Sequence, residues 1–302
     1  MKLLKLLLFL LPFIAFSQKL ALKKQVREIT QNKNATVAVS VNGIDFPFEF
    51  NNENAEKKLP MLSVFKFHIA LSVLDFVDKG KLSLDQKIFV KKEDLKENTY
   101  SPMRNEFPEG NKEFTLDELM QYMVCKSDNN VTDLLLDIVG GPKSVEKSMI
   151  EKGAKNLQIK YSEEDMHQKD WKSLYVNNSS TKSLNQLLIN FYKGKLVSNK
   201  STDYLYKLMK NTTTGTNKLS EQLPKDVIAH RTGSSGKFED LTIAENDIAI
   251  ITLPNGKHYA ISVFVNDSTE SEAVNCKMIS EISKAIWDFL NSEKTGFFFH
   301  WK

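Results

Sequence analysis

A chain of 302 residues with 41% hydrophobic and 26% charged content can bury a sizeable core and has the make-up of a globular protein. Its 41 basic residues stand against 38 acidic ones, and setting aside Lys2 and Lys5 reduces the formal charge from +3 to +1. So small a surplus argues against nucleic acid or an anionic membrane as partner.

Residues 1–17 combine a basic start, an apolar stretch and a small residue, the pattern of a secretory leader cut near Ser17-Gln18. No other apolar stretch is long enough to predict a transmembrane helix, and no cysteine near the cut suggests lipid attachment. Leu20 to Asn32 has the spacing of a surface helix. Residues 35–41 alternate and are rich in valine, and Asn42-Gly43 turns them into residues 46–50 as a hairpin.

A helix buried on most sides is predicted from Ser63 through Val77, with Ser63 suited to start it and Lys79-Gly80 to close it. From about 83 to 209 the apolar spacing is mainly helical. Thr115-Leu116-Asp117-Glu118 reads as a capping box for a helix to Val124. Thr132 to Val139 is a further helix stopped by Gly140-Gly141-Pro142, and Ser183–Tyr192 and Thr202–Met209 are two more. Strand signals return at Val227–Thr232, at Asn246–Leu253 and, after the turn Pro254-Asn255-Gly256, at His258–Val265. Glu272 to Leu290 is a final amphipathic helix. The order predicts an α/β (α+β) fold, with an antiparallel sheet built from both chain ends and flanked by helices. The expected division is 18–60 with 210–302 as an α/β part, and 61–209 as an inserted helical part, with the site between them.

Three stretches carry chemistry. In Ser63-x-x-Lys66 the two side chains share a helix face, and a buried lysine that loses part of its preference for the charged form can take a hydroxyl proton. Ser127-Asp128-Asn129 lies in a tight loop between helices, where a hydroxyl can relay a proton and an amide can hold a carbonyl. His230-Arg231-Thr232-Gly233 is a strand whose cation and hydroxyl, on an exposed face, suit a carboxylate, with a glycine that admits a ligand close to the backbone. Each alone is an ordinary cap, turn or edge strand. Together and in this order they match the motif set of serine β-lactamases and penicillin-binding proteins.

With gaps of 64 positions from Ser63 to Ser127 and 104 from Ser127 to Arg231, the chain resembles the class A serine β-lactamases from about residue 20 to 290. Ser63-Val64-Phe65-Lys66-Phe67-His68, Thr212-Thr213-Thr214-Gly215 and Glu163-Glu164-Asp165-Met166-His167 look most similar to the PER and VEB extended-spectrum branch. The resemblance implies a periplasmic, monomeric hydrolase of the β-lactam amide bond that works through an acyl-enzyme on Ser63. It implies that Lys66, or Glu163 through a water, takes the Ser63 proton. Ser127 would protonate the leaving nitrogen, Asn129 hold the substrate's side-chain amide, and Arg231, Thr232, Gly233 and Ser234 form the carboxylate and oxyanion side. Glu163 would activate the water that frees the product, with Glu164 as the alternative register. His167 stands where the family usually has asparagine, and Arg231 where it usually has lysine; an arginine stays protonated and cannot carry the proton.

Two other classes share these motifs: a D,D-peptidase, which lacks the deacylating glutamate, and a penicillin sensor, which is acylated without turnover. No metal or cofactor is expected. His68 reads as a packed core residue, His230, His258 and His300 lack metal-ligand spacing, and no H-E-x-x-H, C-x-x-C, G-x-S-x-G, P-loop or dinucleotide motif occurs. Cys125 and Cys276 could pair in an exported protein but read better as buried free thiols.

Overall fold

The structure, a computed structural model, describes residues 19–168 and 170–292. The leader expected over residues 1–17 lies outside them.

Helix α1 (residues 19–30) leads into strands β1 (Thr36–Gly43), β2 (Glu49–Asn51) and β3 (Leu59–Pro60). A helical block follows, with α2 (Lys66–Asp78), β4 (Lys87–Val90), α3 (Pro102–Glu106), β5 (Lys112–Thr115), α4 (Leu116–Cys125), α5 (Asn129–Ile138), α6 (Gly141–Glu151) and α7 (Glu163–Gln168). After β6 (Asn178–Ser179) come α8 (Thr181–Tyr192) and α9 (Asn199–Lys210), then β7 (Ile228–Ser234), β8 (Lys237–Phe238), β9 (Leu241–Thr252), β10 (His258–Ser268) and α10 (Glu272–Asn291).

The main sheet runs β2-β1-β10-β9-β7, antiparallel throughout, with β8 paired to β9. Both chain ends therefore supply it. The two-residue period sends Val37, Val39 and Val41 to one face, against Leu22 and Val26 of α1 and Ile282, Ile286 and Trp287 of α10. Ala38, Ile248, Ile250 and Phe264 point the other way, into the core around α2. A polar seam docks α8 on that second face: Asn185 Nδ2 donates to Ala260 O at 3.2 Å, and Ser262 Oγ donates to Asn185 Oδ1 at 2.6 Å.

The capping box at Thr115 forms with both of its bonds. Several boundaries differ from the sequence reading: β1 runs through Gly43 and β2 is Glu49–Asn51, α8 and α9 begin earlier, at Thr181 and Asn199, and β10 extends to Ser268. Helix α5 begins at Asn129 because Asp128 caps it, accepting from Val131 N at 3.0 Å. Gly140-Gly141-Pro142 stops α5 but also starts α6, with proline in the first turn, where its missing N–H costs nothing. Strand β9 starts five residues earlier than Asn246, at Leu241.

Candidate active site

Ser63 lies in a 3-10 turn, Leu62–Phe65, and α2 proper begins at Lys66. This corrects the expectation that Ser63 caps the helix: no side chain caps either turn. Leu62 is held at φ 46°, in the left-handed region costly for a residue with a Cβ. The hydroxyl is thereby left for other work, and it donates to Glu163 Oε1 at 3.4 Å.

Lys66 follows one turn on, fully buried. Its Nζ meets four oxygens: Ser127 O at 2.8 Å, Ser127 Oγ at 3.3 Å, Asn129 Oδ1 at 2.5 Å and Glu163 Oε1 at 3.0 Å. Surrounded only by acceptors, the group is an ammonium in this geometry. Burial nonetheless pushes its pKa down to about 8, opposed by the Glu163 charge and assisted by that of Arg231.

Ser127 sits between α4 and α5 at φ 59°. The buried Asp128 fixes this turn, accepting from Ser101 Oγ at 2.9 Å and Met103 N at 2.7 Å as well as capping α5. Burial raises the Asp128 pKa, and those donors oppose the rise. Asn129 is itself engaged, since its Nδ2 donates to Thr99 Oγ1 at 2.8 Å.

Glu163 opens α7 and is 3% exposed. Asp133 of α5 aims it: the backbone N–H groups of Glu163 and Glu164 donate to the two Asp133 oxygens at 2.7 and 2.8 Å. Burial, then the charge of Glu163, pushes Asp133 up to about 7. The Glu163 carboxylate turns inward to Ser63 and Lys66, whereas Glu164 turns out toward Lys96, 4.0 Å away. His167, one turn on, contacts Glu163 O through Nδ1 at 2.7 Å and stays 39% exposed. The loop is closed by Asn177, whose side chain accepts from Lys160 N at 2.9 Å and donates to Tyr161 O at 2.8 Å. Its backbone carbonyl accepts from Met61 N at 3.0 Å, and β6 pairs with β3, so the loop is tied to the Ser63 turn.

Strand β7 forms the other wall and differs most from expectation. Arg231 was expected on an exposed face but is fully buried. Its Nη2 donates to Ser127 Oγ at 2.8 Å and its Nη1 to Thr232 O at 3.0 Å. Burial lowers its pKa to about 10, leaving it cationic at neutral pH. The space that Gly233 leaves open is filled by the chain itself: a Cβ there would lie 2.4 Å from Met61 O and 3.2 Å from Ser63 N. Glycine lets β7 press against the turn that carries Ser63. Thr232 pairs with Thr214 through the hydroxyls at 2.8 Å. Ser234 is exposed and touches a buried ion pair absent from the sequence reading, Lys218 with Glu245, at 2.6 Å.

These walls enclose an open cleft of about 570 Å³, a size suited to a small-molecule ligand. Ser63, Ser127, Asn129, Glu163, His167, Thr232, Gly233 and Ser234 all line it, while Lys66 and Arg231 stand behind. Sequence reasoning missed the aromatic residues at its mouth: Tyr100, and Trp171 stacked on Phe238 with centroids 5.5 Å apart. The available signal was weak: aromatic residues shortly after the Arg231 motif and after the acidic run at 163–165. His68 is buried with Nδ1 on Phe65 O at 3.3 Å, and burial pushes it down to about 4, a neutral core residue. Cys125 and Cys276 are free and buried, with pKa values raised by burial to about 11 and about 12. Among the described residues no group of histidine, cysteine and carboxylate side chains could hold a metal.

Fold and cleft together set a serine, Ser63, beside a buried Lys–Glu pair, an arrangement that suits a serine hydrolase. Residues 21–290 match the model of the Beta-lactamase enzyme family, and the chain belongs to that family. Among similar proteins, Beta-lactamase VEB-1 of Pseudomonas aeruginosa is 41% identical over 273 residues, covering 88% of this chain and 89% of its own. Extended-spectrum beta-lactamase PER-1 of Pseudomonas aeruginosa is 36% identical over 286 residues, 93% of this chain and 92% of its own. The crystal structure of TLA-3 extended-spectrum beta-lactamase superposes with a TM-score of 0.88 at 44% identity, over 90% of this chain and 99% of its own. A class A beta-lactamase from Bacteroides cellulosilyticus gives 0.86 at 39% identity, over 91% and 99%. The protein is thus a class A serine β-lactamase, a hydrolase of the cyclic amide bond.

Proposed function

We propose that Ser63 is the nucleophile and that Glu163 serves both half-reactions. The carrying observation is the buried Glu163 carboxylate within reach of the Ser63 hydroxyl and of Lys66. In acylation the Ser63 oxygen bonds to the lactam carbonyl carbon while its proton passes to Glu163. Lys66, held as an ammonium among acceptors, stabilises the negative charge beside it rather than taking the first proton. The backbone N–H groups of Ser63 and Ser234 hold the oxyanion, each worth ~10²–10³ in rate. As the carbon–nitrogen bond breaks, Ser127 gives its proton to the nitrogen and is reprotonated by Lys66, which takes the proton held on Glu163 and so returns Glu163 to the carboxylate. Two cationic donors, Lys66 and Arg231, already occupy the Ser127 lone pairs, which leaves its proton for the substrate. Glu163 then removes a proton from the hydrolytic water as the water oxygen bonds to the acyl carbon, and gives that proton to the Ser63 oxygen as the ester bond breaks.

Asn129 receives the substrate's side-chain amide and His167 lies along the acyl group. Thr232, Gly233 and Ser234 bind the carboxylate edge, with Arg231 supplying charge from behind. The substrates span an extended range of β-lactams, a reading supported by the similarity to PER-1, named an extended-spectrum enzyme. The chain works as a monomer, exported to the periplasm by residues 1–17. Its two parts are 18–60 with 210–302 and the inserted 61–209. Among the described residues no helix is long and apolar enough to cross a membrane.

Purified protein hydrolyses a chromogenic cephalosporin, and Ser63→Ala abolishes the reaction while the fold survives by circular dichroism. Undiminished hydrolysis by that variant would remove Ser63 from the mechanism. A wild-type protein that forms a stable penicilloyl adduct by intact mass, without turnover, would make it a peptidase or sensor instead.

A further inference from the structure

On β7 the side chains of His230, Thr232 and Ser234 share one face, and Ser234 faces Glu245 across the strand pair. Over them lies Lys218, from the loop between α9 and β7. Its Nζ donates to Ser234 Oγ at 2.8 Å and to the carbonyls of Gly233 and Asn246 at 3.3 and 3.4 Å, and is 2.6 Å from Glu245 Oε2. Ser234 Oγ in turn donates to Glu245 Oε2 at 2.9 Å. Lys218 and Glu245 are 3% and 2% exposed, but Ser234 opens onto the cleft.

We infer that Glu245 is a positioning residue that sets how strongly the cleft binds a substrate carboxylate at Ser234. It acts in two ways. It cancels the charge of Lys218, the cation nearest Ser234 in the network, so the field reaching a ligand there is that of a neutral pair. It also holds the only proton of the Ser234 hydroxyl, which must turn away from Glu245 before it can donate to a carboxylate. Both effects weaken binding of β-lactams with a free carboxylate and leave neutral esters of the same compounds untouched. The inference rests on the reading of this cleft as a β-lactam hydrolase site.

The test compares a cephalosporin carrying a free carboxylate with its methyl ester across three variants. Glu245→Gln unmasks the lysine charge, and KM for the acid falls about tenfold, as expected for a unit charge acting through a partly buried path. Lys218→Met unmasks the glutamate, and KM for the acid rises by about the same factor. The double variant Lys218→Met with Glu245→Gln returns to within about twofold of wild type, the mark of a charge pair rather than of two independent losses. For the ester all four proteins keep KM within about twofold, and the effects on the acid fall on KM rather than on kcat. The idea is overturned if both single variants move KM for the acid in the same direction, or if the ester responds as the acid does. Should Glu245→Gln fail to fold, the comparison of Lys218→Met with the double variant still decides, because a structural role predicts no recovery. A wild-type protein that hydrolyses neither compound overturns the parent reading instead.

Discussion

Two buried lysines face two buried glutamates across this cleft. Lys66 is 3.0 Å from Glu163 and Lys218 is 2.6 Å from Glu245. Their charge types are identical and their exposures nearly so, yet their settings differ. Lys66 sits on α2 beside Ser63, the proposed nucleophile, with side-chain acceptors that can exchange protons and with the second cation Arg231 near Ser127. Lys218 is tied to two backbone carbonyls, which cannot take a proton, and touches Ser234, the proposed carboxylate contact. A buried ion pair becomes proton machinery when it adjoins a titratable chain ending on a nucleophile. Otherwise it sets a local field. Neither pair is evidence of stability by itself, because desolvation offsets much of the attraction.

The largest effect that would break this contrast comes from Glu163→Gln. We expect kcat to fall by about 10³-fold or more with an acyl-enzyme accumulating by intact mass, since a lost general base costs typically 10²–10⁴ per step. If Glu164→Gln traps the adduct and Glu163→Gln does not, the functional carboxylate is the outward one and the first pair is not proton machinery. Next, Lys66→Met should lower kcat/KM by about 10²–10³-fold, and Lys218→Met by no more than about tenfold. Equal losses would erase the distinction.

The pH profile sharpens it. Lys66 is cationic below about 8, and its charge is lost as pH rises through that value. Acylation assisted by the cation therefore holds up to neutral pH and declines above about 8. Arg231 lowers the Lys66 pKa, so Arg231→Gln should move this alkaline limb upward, read from kcat/KM against pH. A limb that stays put would show that it is not set by Lys66, whereas activity that rises above pH 8 would make neutral Lys66 the base. The smallest effect is the pair of opposed KM shifts at Lys218 and Glu245.

Much of this site was legible because its chemistry is carried by local motifs. Ser63 and Lys66 lie one turn apart, Ser127 to Asn129 forms one turn, and Arg231 to Ser234 one strand end. The helical and two-residue periods were equally local, which is why the order of elements was readable. The boundaries were harder. Asp128 looked like part of a polar turn, but it caps α5 and pulls the helix start forward to Asn129. Ser63 looked like a cap, but its turn is bent by Leu62 at φ 46° as β7 presses against it. Arg231 had the composition of an exposed ligand, and only the packing of β7 against that turn buries it.

The sequence alone determined which groups could do the chemistry, because nucleophile, base and amide are properties of residue types and short spacings set their neighbours on one turn or strand. The tertiary structure decided which way each group points and what charge it meets. It turns Glu163 inward and Glu164 outward through Asp133, puts Arg231 behind Ser127, and brings Lys218 and Glu245 together from positions 27 apart. Burial, orientation and electrostatic partnership depend on contacts between segments distant in the chain, and no local pattern of residues encodes them.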